Sequence, residues 1–343
     1  MNVSSPRSPG RRPSDLKGAR ALVTGGAGFI GSHLVDALLE QGALVRVLDN
    51  LSTGRRENLE HSIDRIELVE GDLRDLATCR DACAGVDVVF HEAALGSIQR
   101  SIDDPATTMA INVGGTVNLF TGARDAKVRR VIYASSSSVY GDSAKLPKKE
   151  GEEGTALSPY AASKVMNEEL AALYGRCYGM ELIGMRYFNV YGPRQDPDGP
   201  YAAVIPRFFK SYAAGQAPVI YGDGEQSRDF TFVADVVAAN LLASGAPESA
   251  LGRAYNIAGQ QRTSVNDLAR IVREAFGSGP EPRHEPARAG EVRHSAADVS
   301  LARQELGFVP GVRLPEGISR TRLQYGAAAE KSPRPTTSRG ASS

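Results

Sequence analysis

Residues 22–31, LVTGGAGFIG, run from an apolar strand end through a glycine-rich turn, with Gly25, Gly28 and Gly31 as its spaced glycines, into a helix. The string decides the fold because each glycine has a steric task. Gly25 admits a sharp turn, Gly28 lets the backbone reach a pyrophosphate, and Gly31 lets the next helix pack close to the sheet. That helix is expected from Phe29 to about Gln41, with Ile30, Leu34, Leu38 and Leu39 as its apolar stripe. A second strand, Leu44 to Leu48, follows and ends in Asp49. A carboxylate at that point suits the ribose hydroxyls of a dinucleotide and repels a 2′-phosphate, so NAD is favoured over NADP. Arg55 and Arg56 lie near enough to leave NADP open.

Working outward, strands and helices alternate. Strands are expected at 66–70, 86–90, 130–135 and 181–187. Helices are expected at about 75–84, at 105–126 as one long element, and at 159–178. This order implies right-handed crossovers and an α/β fold with a parallel sheet. Past Asn189 prolines and glycines break the pattern, and 254–258 reads as one more strand returning to the sheet. The expected division is a disordered arm at 1–18, a nucleotide-binding domain at 19–190 rejoined by 230–260, a smaller lobe from 191–229 and 261–325, and a disordered tail at 326–343. Both tails are rich in Ser and Arg and lack apolar periodicity. Arg11-Arg12 lacks the apolar stretch of an export signal.

Composition narrows the function. The 40 basic and 40 acidic residues balance to zero formal charge, so no long-range field favours nucleic acid or anionic lipid. No apolar run approaches the roughly 20 residues of a membrane span. Cys79 and Cys83 are spaced i, i+4 without a second ligand pair, and the five histidines are scattered. The expectation is no metal, reduced cysteines and a cytoplasmic protein.

The candidate chemistry lies in TyrAlaAlaSerLys, which puts Tyr160 and Lys164 on one helical face. A phenol titrates near about 10, and a nearby ammonium is expected to lower that value and make Tyr160 a base. The run SerSerSerSerValTyrGly at 135–141 closes the fifth strand, and the Ser136 hydroxyl is expected beside Tyr160. A surface Tyr–Lys pair and a polar loop are the plainer readings of these two features taken singly.

ThrGlyGlyAlaGlyPheIleGly at 24–31, Asp49, Gly71-Asp72, HisGluAlaAla at 91–94, Ser136, Tyr160 with Lys164, and ArgTyrPheAsn at 186–189 together resemble the extended short-chain dehydrogenases that act on nucleotide sugars. The resemblance spans about 19–325 and implies a Rossmann-type doubly wound sheet with a smaller C-terminal substrate lobe. It implies NAD on Gly25, Gly28, Phe29, Ile30, Gly31, Asp49, Asn50, Asp72, Leu73 and Ala93, with Tyr160 and Lys164 touching it as well. It also implies a UDP-sugar held by Ser136, Ser137, Asn189, Arg228 and Arg288, guanidinium forks being suited to phosphate.

Related 4,6-dehydratases carry an Asp-Glu pair just after the hydroxyl residue, where this chain has Ser137 and Ser138. The glutamate of the decarboxylases is missing too. What remains is the arrangement of the 4-epimerases. The segments 94–101 and 194–206 look like bacterial UDP-N-acetylglucosamine 4-epimerases, and the gatekeeper to the C2 substituent aligns with Ser295, small enough to leave room for an acetamido group. Ser295 as the N-cap of a helix beginning near Ala296 is the alternative reading. UDP-glucuronate 4-epimerases share the serine run but carry Thr at the position of Asn189. A sugar-nucleotide-binding regulator without turnover is the alternative from another class. The family also implies a homodimer, through Ala110, Val113, Val117, Val165, Leu170 and Leu173 on helices 105–126 and 159–178.

Overall fold

The computed structural model describes residues 16–198, 202–287 and 293–329. In chain order the first half comprises β1 (Arg20–Thr24), α1 (Phe29–Glu40), β2 (Leu44–Asp49), β3 (Ile66–Glu70), α2 (Leu76–Cys83), β4 (Val88–His91), α3 (Ile98–Asp103), α4 (Pro105–Met109), α5 (Gly115–Asp125), β5 (Arg130–Ser136), α6 (Pro159–Tyr178) and β6 (Glu181–Tyr187). The second half adds β7 (Val190–Tyr191), α7 (Val204–Ala213), β8 (Val219–Tyr221), β9 (Ser227–Asp229), β10 (Thr231–Phe232), α8 (Val233–Ser244), β11 (Arg253–Ile257), β12 (Arg262–Ser264), α9 (Val265–Ala275), β13 (Arg283–Glu285), α10 (Ser300–Leu306) and α11 (Leu314–Ala329).

Seven strands form one sheet in the order β11-β6-β5-β4-β1-β2-β3, every neighbouring pair parallel. Helices cover both faces, so the inner strands β4 and β5 are buried on both sides, while the edge strand β3 is partly exposed. On β1, Ala21 and Val23 join the core formed with α1 and α8, whereas Leu22 joins the core under α2, α5 and α6. A third core unites α7, α9 and α11 around Phe208, Phe209, Leu268, Val272 and Ile318. Chain order reverses where β1 pairs with both β2 and β4. The carboxyl ends of the strands at such a reversal form the ligand crevice of an open parallel sheet.

Three expectations need correction. The single helix expected at 105–126 is α4 and α5 joined by a π-helical turn, Ala110–Gly114, with α3 ahead of it. A π turn is a single-turn insertion inside an otherwise α-helical run, so the segment reads as one helix in sequence. The arm expected to run to residue 18 does not include Leu16, which is buried in the first core. Gly18 donates its N–H to the Gly42 carbonyl at 2.7 Å. At the other end α11 continues past 325 to Ala329, through alanines that favour helix.

Candidate active site

The turn after β1 builds one wall. Gly25 has φ +67°, and a Cβ there would lie 2.8 Å from the Ala93 backbone. The Asp49 carboxylate closes on this turn, with Oδ2 accepting from Ala27 N at 2.9 Å and Oδ1 from Leu51 N at 2.8 Å. Burial pushes the Asp49 carboxyl up, and these two bonds pull it down. Each oxygen keeps a lone pair for a ribose hydroxyl. Asn50 donates to Asp72 at 2.9 Å, and Arg74 holds Asp72 through both prongs of its guanidinium. Those bonds, the arginine's first, keep Asp72 well below the usual carboxylate range. Arg55 is paired with Asp196 at 2.8 Å, and Arg56 with Glu70. Neither arginine beside Asp49 is left without a carboxylate of its own, which argues against a 2′-phosphate.

The second wall comes from α6. Ser158 caps it by accepting from Ala161 N at 3.1 Å, Pro159 occupies the first turn, and Gly179 ends it at φ +63°. This places Tyr160 in the first turn and Lys164 one turn later. The Lys164 ammonium donates to Ala134 O at 2.9 Å and lies 5.9 Å from the centre of the Tyr160 ring. Ser136 ends β5, accepts from Ser138 N at 3.1 Å and hydrogen-bonds the Tyr160 phenol. The expected drop in the phenol's affinity for its proton is not what this geometry gives. Burial pushes Tyr160 up, and the Ser136 bond offsets only part of it. Lys164 is itself brought down to about 8 by burial, against the pull of Glu92 and Glu168.

One cleft of about 1550 Å³ joins these walls. Its lining includes the Gly25–Gly28 turn, Phe29, Ile30, Gly31, Asp49, Asn50, Asp72, Leu73 and Ala93 at one end, and Ser136, Ser137, Tyr160, Asn189, Arg228 and Ser295 at the other. This volume exceeds that of an ordinary small-ligand pocket, roughly 300–1,000 Å³. A side-chain-free turn, an acidic strand end and an extended cleft fit a dinucleotide with a second ligand beside it. Asn189 sits at φ +37° with its amide donating to Asp229 O at 3.0 Å. Arg228 donates to the carbonyls of Ser227 and Arg293. Arg288 lies outside the described residues. Ser295 caps no helix, because α10 starts at Ser300 with Val299 at its N-cap position and no side-chain cap bond. Its N–H donates to Ser227 O at 3.0 Å, next to a parallel bridge between Ser227 and His294.

Several groups at the site are given no role by the sequence reading, even where, as for His91 and Arg186, they fall inside its motifs. His91 is held between the hydroxyls of Thr24 at 2.7 Å and Thr116 at 2.9 Å, and burial lowers it to about 3, so it is neutral. Asn112, on the π turn, grips both backbone groups of Leu95 and donates to Ser163 Oγ at 3.1 Å. Arg186 binds Glu168, Glu153 and the Tyr140 hydroxyl, while Ser135 donates to Glu168 at 2.5 Å. Arg194 pairs with Asp36 at 2.8 Å, and His33 contacts the Pro193 carbonyl at 2.9 Å, so α1 and the loop after β7 are tied across the mouth of the cleft. Cys79 and Cys83 are buried free thiols, raised to about 12 by burial. Among the described residues no cluster of His, Cys, Asp and Glu could hold a metal ion, and no helix is long and apolar enough to cross a membrane.

A glycine turn feeding a parallel-sheet crevice, with Ser, Tyr and Lys at its far end, defines a nicotinamide-dependent enzyme of the short-chain dehydrogenase type. Residues 21–258 match the NAD dependent epimerase/dehydratase family, and the chain belongs to it. Its cofactor is NAD. A UDP-glucose 4-epimerase of Mycolicibacterium smegmatis is 42% identical over 306 residues, covering 88% of this chain and 97% of the relative. The UDP-glucose 4-epimerase of Thermotoga maritima, solved with UDP-glucose, superposes with TM-score 0.85 at 37% identity, over 90% of this chain and 99% of that one. The UDP-N-acetylglucosamine 4-epimerase of Methanobrevibacter ruminantium, solved with UDP-N-acetylmuramic acid, gives TM-score 0.87 at 37% identity, over 91% and 99%.

Proposed function

We propose that this chain inverts C4 of a UDP-hexosamine, interconverting UDP-N-acetylglucosamine and UDP-N-acetylgalactosamine through a 4-keto sugar. The observation that carries the choice of sugar is Ser295, a small side chain on the cleft wall with no helix to cap. NAD, held along Gly25–Gly31, Asp49, Asp72, Leu73 and Ala93, supplies reversible hydride acceptance at C4. The chain's own residues handle the proton. Tyr160 takes it from the C4 hydroxyl and gives it back, Ser136 fixes that oxygen and the phenol together, and Lys164 supplies positive charge behind them. The absence of a carboxylate at Ser137 and Ser138 leaves no acid to expel the C6 hydroxyl, so the keto sugar is reduced rather than dehydrated. Asn189 and Arg228 hold the diphosphate while the sugar turns, since binding energy placed on the nucleotide leaves the hexose free to rotate.

Incubating the protein separately with UDP-N-acetylglucosamine, UDP-glucose and UDP-glucuronate tests this reading. Epimer should accumulate with the acetylated sugar, and no NADH should build up, because the redox cycle closes on itself. Turnover of the uronate alone, or NADH rising in step with product, would overturn it. Binding without turnover of any of the three would mark a regulator.

A further inference from the structure

We propose that Asn256 is a positioning residue for the choice of sugar: its side-chain amide sets where Ser295 stands relative to the serines that follow β5. The inference rests on reading Ser295 as the wall of the C2 pocket. Asn256 lies near the end of β11, at the edge of the sheet, and is fully buried. Strand register puts Ser135, Arg186 and Asn256 side by side on β5, β6 and β11. The last two meet at Tyr140, which ends the short turn Ser137–Tyr140 directly after Ser136. Arg186 donates to the Tyr140 hydroxyl at 3.0 Å, and that hydroxyl donates to Asn256 Oδ1 at 2.7 Å. Asn256 Nδ2 donates to the carbonyls of Lys148 and Asp298, each at 3.0 Å. The orientation of the amide is forced. A carbonyl can only accept, so both take the amide nitrogen, and the amide oxygen is left for the phenol.

The Asp298 side of this junction carries Ser295. Residues 293–298 run as a ribbon held along two edges. On one edge Ser227 N donates to Arg293 O at 2.9 Å, and Ser295 N donates to Ser227 O at 3.0 Å. On the other, Lys148 N donates to Ala296 O at 2.7 Å and Asp298 N to Lys148 O at 2.9 Å, with Lys148 and Ala297 bridged in parallel. The Lys148 carbonyl thus receives two donors, Asp298 N and Asn256 Nδ2, one for each lone pair. Ser136, Ser137, Ser138, Tyr140, Lys148 and Ser295 all line the cleft. One buried amide therefore ties the serine wall to the Ser295 wall, through partners 116, 108 and 42 residues away in the chain. A buried polar group with its bonds made rigidifies its surroundings and specifies one arrangement. A pocket that must tell an acetamido group from a hydroxyl needs that fixity, because walls left loose by their support admit both.

The test compares kcat/KM for UDP-N-acetylglucosamine and for UDP-glucose in the NAD-loaded enzyme. Asn256→Ala removes the amide but keeps the backbone bond from residue 256 to Glu150, 2.8 Å long, so the edge strand stays joined to the loop. The ratio of acetylated to plain sugar should fall, roughly two- to tenfold for each hydrogen bond that held the walls. An amide that only stabilises the fold lowers both values alike, and an unchanged ratio would overturn the proposal. Should Asn256→Ala melt well below wild type, Tyr140→Phe decides. It cuts the bond on the serine side and spares both carbonyl bonds of Asn256. The ratio should fall there too, and parallel losses would again overturn the proposal. A ratio that moves in Asn256→Ala but not in Ser295→Tyr would overturn the route through Ser295. Wild type that leaves the acetylated sugar untouched rejects the choice of sugar and the pocket with it. That measurement precedes any variant, so the two failures are told apart.

Discussion

At Ser295 the backbone is committed to Ser227 and the side chain to the cleft. A tyrosine there would fill the space assigned to the C2 substituent, and overfilling a packed site costs typically about 1–3 kcal/mol. Ser295→Tyr should therefore lose turnover of the acetylated UDP-sugars while keeping whatever turnover of UDP-glucose and UDP-galactose the wild type has. Measuring kcat/KM for both pairs checks this, and an unchanged ratio would remove the main reason for choosing the acetylated sugar. At the same scale, Tyr160 and Lys164 are legible in the sequence because four residues separate neighbours on a helix. The setting of Glu92 is not, because its phenol partner Tyr187 lies 95 residues away. The direction of the Tyr160 shift was equally hidden, since burial is a property of the fold and not of the Tyr-x-x-x-Lys spacing.

Among the elements, β5, α6, β6 and the loop before α6 are joined by one buried arginine. Arg186 is 8% exposed at its side chain and faces both Glu168 and Glu153. Removing one partner from a buried ion pair leaves uncompensated charge and costs roughly 3–5 kcal/mol. Arg186→Met should lower stability by that order in a denaturant titration, and a loss under about 1 kcal/mol would show the network to be dispensable. Every strand of the sheet was readable in advance as a short apolar run between helical stripes, and the observed ends differ from the expected ones by at most two residues. The break inside 105–126 was not, for a physical reason. A π turn adds only one residue to a long helical pattern, and what marks it is where Asn112 points: to Leu95 and Ser163, 17 and 51 residues away in the chain.

For the whole molecule, the surface of α6 speaks to assembly. Met166 and Leu173 are 45% and 43% exposed, Ala110 is exposed, and Val113 and Val117 are half-buried. Val165 and Leu170, expected at the same contact, pack partly on the home cores instead. We propose that the exposed side of α6 and the neighbouring 105–125 segment meet a second copy. Light scattering at micromolar concentration should give twice the chain mass, and Leu173→Glu should return it to one; a monomeric wild type would count against the interface. The ties across the cleft mouth have a different consequence. Arg55–Asp196 and Arg194–Asp36 join the two sides of the groove by pairs whose side chains are 53% and 47% exposed in the first case and 23% and 26% in the second. We expect a dinucleotide bound in this cleft to leave more readily when the pairs at Arg55 and Arg194, both on the cleft wall, are open. Its residence time should then depend on salt, which weakens solvent-exposed ion pairs such as Arg55–Asp196. Dissociation of bound NAD, followed by exchange with labelled NAD, should quicken as salt is raised, and Asp196→Asn should be fast at every salt concentration.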